Sequence, residues 1–145
     1  MEKKSSKISP LQIVVFIVSF AVAYFAVDYF FSRNEATPNE MLVTVSKEMN
    51  KTMPKMVDAE TRLDSTSVEN STLNYHYTLV NVIKDSTEID LDEVKNTMKS
   101  RAQMNIDTNE AMKDYRENDI SLQYIFVDKE QNKVFDYTVK HQKTK

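Results

Sequence analysis

The chain of 145 residues contains no cysteine, no tryptophan and no glycine, and it carries a formal charge of −3. The lack of cysteine excludes disulfides, thiolate metal ligands and a cysteine nucleophile. The lack of glycine, where average usage of about 7% would supply about ten, excludes phosphate-cradling loops and nucleophile elbows, whose backbone comes too close to ligand or turns too sharply for a Cβ.

Turns with positive φ must then fall to Asn or Asp, which enter the left-handed region at least cost. Asn70 and Asn132 are the candidates. The charge is unevenly divided. Lys3, Lys4 and Lys7 precede an apolar stretch, while the rest of the chain is acidic, with no basic run except a short C-terminal tail. A nucleic-acid partner is therefore not expected.

Residues 8–27 are an uncharged run of 20. As a helix such a run reaches about 30 Å, the thickness of the hydrocarbon layer. The lysines lie before it, and Tyr24 and Tyr29 lie near its far end. This pattern predicts a single-pass helix over 8–31 in the inner membrane, a cytoplasmic basic N-terminus at 1–7, a linker at 32–36 and an exported domain at 37–145. The lipid bilayer is then the first partner. Ala21-Val22-Ala23 leaves open the alternative of signal-peptide cleavage.

Thr37-Pro38-Asn39-Glu40 reads as a capped helix start. Leu42, Val45, Met49, Met53 and Met56 follow at helical spacing, with Pro54 ending the regular part near Thr52. Residues 57–68 read as a strand. Residues 72–83 read as a second, with Leu73, Tyr75, Tyr77 and Leu79 on one face, Asn74, His76 and Thr78 on the other, and a bulge near Val80 and Val82. Asp90 caps a second helix bearing Leu91, Val94, Met98 and Ala102, and residues 107–110 cap a shorter third one with Ala111, Met112 and Tyr115. Ile120, Leu122, Tyr124 and Phe126 then alternate along a strand, as do Phe135, Tyr137 and Val139 after a turn at 128–133. Both strand pairs suit hairpins. The expected fold class is α+β, in the order α-β-β-α-β-β, with helices packed on one face of a four-stranded antiparallel sheet.

Asp58, Glu60, Arg62 and Asp64 alternate along one presumptive strand face and, with His76, form the candidate partner-binding set, able to hold a basic segment or an ion-pair network. His76 is otherwise an ordinary surface histidine, and His141 lies in the basic tail. Two separated histidines do not make a metal site. Met49, Met53 and Met56 could gather copper(I) on one helical face, but a core stripe needs the same spacing. Asp85, Glu88, Asp90, Asp92 and Glu93 lack the glycine and ligand order of a calcium loop. No catalytic set, no metal site and no cofactor is expected.

The stretch Met53-Pro54-Lys55-Met56-Val57-Asp58-Ala59-Glu60-Thr61-Arg62-Leu63-Asp64, with Tyr75-His76-Tyr77-Thr78-Leu79-Val80-Asn81, Tyr115-Arg116 and residues 124–128, resembles a family of small uncharacterised bacterial membrane-anchored or exported proteins. The resemblance implies a bacterial envelope setting and no assigned activity. The chain departs from that pattern in lacking a glycine in the last hairpin and a cysteine after the second helix. The expectation is a membrane-anchored, extracytoplasmic binding or assembly module, not an enzyme, that meets another envelope protein. The alternatives are a small envelope enzyme using His76 with nearby carboxylates, or a methionine-based metal-handling protein.

Overall fold

In the computed structural model, residues 37–143 are described. The expected membrane helix at 8–31 and the linker at 32–36 lie outside them, and among the described residues no helix is long and apolar enough to cross a membrane. The first element, α1 (Pro38–Asn50), starts where the capping box places it. Thr37 Oγ1 accepts from the Glu40 backbone N–H, and the Glu40 carboxylate accepts from the Thr37 backbone N–H at 2.9 Å. That backbone donor holds the Glu40 carboxyl below its ordinary range. The helix buries Met41, Leu42, Val45 and Met49 and ends at Asn50, one turn before Pro54.

After α1 come β1 (Lys55–Met56), β2 (Thr61–Glu69), β3 (Thr72–Leu79), α2 (Leu91–Thr108), α3 (Lys113–Glu117), β4 (Ser121–Asp128) and β5 (Lys133–Lys140). The expected four-stranded antiparallel sheet is overturned. The sheet has five strands in the order β1-β2-β3-β4-β5, and β3 and β4 run parallel, from Thr72↔Ser121 to Leu79↔Asp128. The cause is the length of α2. Its 18 residues run back about 27 Å, roughly the length of an eight-residue strand. The chain thus re-enters the sheet at the end where β3 began, and β4 takes the same direction. Each of the two hairpins forms as its alternation suggests, but they meet through a parallel pair.

The inner face of the sheet carries Leu63, Leu73, Tyr75, Tyr77, Leu122, Tyr124, Phe126, Phe135, Tyr137 and Val139. These join Leu42, Val45 and Met49 of α1 and Ile106 of α2 in one core. Tyr77 and Phe126 stack across the parallel pair at 4.9 Å between ring centroids. Burial pushes the phenols of Tyr77, Tyr124 and Tyr137 up from their ordinary value.

Bulges fall at Asp64, between Leu63 and Ser65, and on β5 near Val134, opposite Phe126 and Val127. The expected bulge at Val80 and Val82 does not form, because β3 stops at Leu79. Asn70 (φ 47°) and Ser71 (φ 59°) make the two-residue turn of the first hairpin, with both central residues at the positive φ that a type I′ turn requires. In the second hairpin Gln131 (φ 68°), not Asn132, takes the left-handed position. The exposed Gln131 has a Cβ in a region costing about 1–2 kcal/mol. Gln131→Gly should therefore raise stability by about 0.5–1 kcal/mol once the extra freedom of glycine in the unfolded chain is subtracted. Thermal unfolding would show a midpoint a few degrees higher, and a lower midpoint would refute the reading.

The outer edge of β2 is paired with β1 only at Leu63 and Arg62. Further along, Asn50 takes the place of a strand. Its Oδ1 accepts from the Thr66 backbone N–H at 2.7 Å and its Nδ2 donates to the Thr66 carbonyl at 2.9 Å. Asn50→Ala removes both bonds and should cost about 1–3 kcal/mol, with faster hydrogen exchange at the Thr66 amide. Exchange unchanged at Thr66 would show that the edge is held by something else.

Candidate functional site

The face of the sheet opposite the helices carries the polar positions of the strands. Strand alternation puts Arg62, Ser67, Thr72, Asn74, His76, Thr78, Gln123, Ile125 and Val127 there. Three of the residues singled out in the sequence converge on it. Arg62 Nε donates to Asp64 Oδ1 at 2.5 Å, Thr78 Oγ1 donates to the other carboxylate oxygen, and Arg62 Nη2 lies 3.4 Å from Thr78 Oγ1. His76 lies next along β3, and its Nε2 is 2.9 Å from Ser67 Oγ, which also accepts from Asn74 Nδ2 at 3.3 Å.

Asp58 and Glu60 do not join them. They sit in the turn between β1 and β2, where Asp58 Oδ1 accepts from the Glu60 backbone N–H at 2.7 Å, an Asx turn that breaks the presumed strand. The expected four-residue charged face is thus reduced to Arg62 and Asp64. Ser67 and His76 stand at the distance of a nucleophile and its base, with Ser67 exposed and His76 half-buried. Asn74, only 7% exposed, has an Oδ1 with no hydrogen-bond partner among the described residues.

The other sequence candidates are used structurally. Asp90 Oδ1 caps α2, accepting from the backbone N–H groups of Asp92 and Glu93 at 3.1 and 3.0 Å. His141 is held at α2: its Nδ1 is 2.7 Å from Asp107 Oδ1, and Asp107 also accepts from Gln103 Nε2 and the Gln142 backbone N–H. Desolvation raises the Asp107 carboxyl, but these donors outweigh it and hold the group below its ordinary value. Of the three methionines, only Met49 is on α1. Met53 and Met56 lie beyond its end, so the shared helical face imagined for copper(I) is not formed.

One feature escaped the sequence. α1 packs over β2 and α2 over β5, with at most marginal contact between the helices. Several apolar side chains stay only half-buried where they pack against the core: Leu91, Val94, Met98 and Ala102 of α2, with Met53 and Val57. Met56 is 46% exposed. Asp85, Glu88, Asp92 and Glu93 stand exposed at the α2 end. The sequence signal for it is faint: the α2 stripe reads as an ordinary core stripe, yet Ile106 is the single buried residue of that helix.

The chain belongs to a family defined by a domain of unknown function (DUF8479), whose model matches residues 37–142. No curated protein sequence matches it. Two solved structures share the fold. A Pseudomonas aeruginosa protein inferred to be secreted matches with a TM-score of 0.56 and 17% identity, over 72% of this chain and 88% of that one. The pilotin EpsS of the Vibrio vulnificus type 2 secretion system matches with a TM-score of 0.54 and 10% identity, over 70% of this chain and 86% of that one.

Proposed function

We propose that the domain is a binding or assembly module that works outside the cytoplasm by docking onto another envelope protein. The observation that carries this reading is the set of half-buried apolar side chains along α2 and around β1, with Met56 exposed. Leaving several aliphatic and thioether side chains partly wet forgoes stabilisation of about 25 cal/mol per Å², a loss that a bound partner would recover. The likeness in fold to a secretion-system pilotin and to a protein inferred to be secreted supports the same setting. So does the N-terminal sequence, where three lysines before an uncharged run match an export element.

Two measurements test the reading. Alkaline phosphatase fused after Lys145 should be active, and an inactive fusion with an intact cytoplasmic reporter in its place would overturn the location. A photo-cross-linking residue at Met98, in the native membrane, should give one discrete adduct that the same group at exposed Glu130 does not. Adducts of equal pattern from both positions would overturn the docking surface.

A further inference from the structure

Going beyond the docking reading and independent of it, we infer that a surface cavity between α3 and the segment after β5 binds a small zwitterion, a molecule with one singly charged oxyanion and one ammonium group. The cavity measures about 400 Å³ and is lined by Glu110, Lys113, Arg116, Glu117, His141 and Lys143. Small-molecule sites commonly span about 300–1,000 Å³. A lining this charged suits a charged ligand, since an apolar one would strip water from these side chains and return no bonds.

Most of the lining charges are already committed. His141 Nδ1 stands 2.7 Å from Asp107 Oδ1, Lys143 Nζ donates to Asp119 Oδ2 at 3.1 Å, and Lys113 Nζ stands 3.8 Å from Glu117 Oε1. Two groups are left over, one of each sign. Arg116 spends only Nη1, which donates to the carbonyls of Ile106 at 3.0 Å and Asn109 at 2.7 Å. These bonds cap the end of α2 and fix the plane of a half-buried guanidinium. Its Nε and Nη2 make no hydrogen bond among the described residues, and together they form the edge that pairs with two oxygens of a carboxylate or phosphodiester at once. The exposed Glu110 carboxylate is likewise without a partner among the described residues.

The fixed guanidinium supplies the affinity and Glu110 the selection. A side chain held by two backbone carbonyls has already given up the rotamer freedom that a free arginine loses on binding. Beside Glu110 a dianion such as a phosphate monoester meets repulsion, whereas an ammonium group on the same ligand gains an ion pair. Two sources offer this chemistry: a free amino acid, and the ethanolamine phosphodiester of a lipid headgroup.

The test uses the full chain in a non-ionic maltoside detergent, which brings no charge of its own, with NMR of the Arg116 Nε–H group as the readout. The probes are ω-amino acids from glycine to aminohexanoate, glycerophosphoethanolamine, and acetate and ethylamine as single-charge controls. The best zwitterion should bind about fivefold tighter than either control. An amino acid in that place identifies the free source, and glycerophosphoethanolamine the headgroup. Glu110→Gln should erase the margin and leave acetate unchanged, with the same circular dichroism because the side chain is exposed. Arg116→Lys keeps the charge but loses the two-bond edge, and should weaken every oxyanion about tenfold. It also removes a cap of α2, so Glu110→Gln, which keeps that cap, decides the case if Arg116→Lys unfolds. Acetate as tight as every zwitterion, a margin that survives Glu110→Gln, or an Arg116 Nε–H signal that no probe moves would overturn the inference.

Discussion

Asp128→Ala is expected to lower the midpoint of thermal unfolding by on the order of 10 °C at neutral pH, a large effect for one side chain at a strand end. Asp128 is fully buried at the end of β4, and its carboxylate is an assembly point for two loops. Oδ2 accepts from the Lys84 backbone N–H at 2.9 Å, and Oδ1 accepts from those of Glu130 and Asn132, both at 2.9 Å. One bond holds the start of the crossover to α2 and the other two form the turn into β5. Alanine leaves three backbone donors without their acceptor. The Asp128→Asn variant restores one acceptor oxygen but sets an N–H group against the remaining donors, so it should fall nearly as far. Faster hydrogen exchange at Lys84, Glu130 and Asn132 together would confirm the shared cause. A midpoint within about 2 °C of wild type would refute it.

The same carboxylate sets a pH dependence. The Lys84 N–H, with help from Asn132 and Glu130, holds the Asp128 carboxyl below its ordinary value. Asp107, Asp119 and Asp136 are lowered as well, through their donors Gln103 and His141, Lys143, and Lys133. A group whose folded value is depressed stabilises the fold at every pH above its unfolded value, about 4, and loses that contribution as pH falls through the folded value. Stability should therefore be flat from neutral pH to about 5 and decline below about 4. Asp128→Asn removes one titrating group, so its decline should be shallower than that of the wild type.

Local signals were legible and long-range geometry was not. The capping box at Thr37 and Glu40 involves four consecutive residues, and it forms as the sequence suggests. The alternation at residues 121–126 and 135–139 likewise describes single strands, and each buries the expected face. Alternation through Asp58 and Glu60 misled, because a side-chain acceptor competed with the strand ladder and won locally. Counting Met53 and Met56 into the first helix failed for a related reason: the chain leaves the helix at Lys51. The parallel junction was in principle readable, since the helix between the hairpins is as long as a strand and must reverse the chain. The two-residue β1 carries too little pattern to be seen. The partial burial of the α2 stripe depends on what packs over it from elsewhere in the chain, and no local periodicity encodes that.

The parallel junction itself can be tested by energetics. Phe126→Ala should cost about 3–5 kcal/mol, measured by denaturant unfolding, because the ring is fully buried on β4 between Tyr77 and Phe135, with centroids 4.9 and 4.8 Å away. Size alone would give a similar cost in any topology. The discriminating quantity is the coupling between Tyr77 and Phe126, which are register partners across β3 and β4 and stack at an interplanar angle of 12°. A cycle of Tyr77→Leu, Phe126→Leu and the double variant keeps the core filled and should return a coupling of about 0.5–1.5 kcal/mol. In an all-antiparallel sheet these two rings would not face each other in register, and the two losses would simply add. An additive cycle would therefore remove the parallel pair and, with it, the account of how α2 returns the chain over β5.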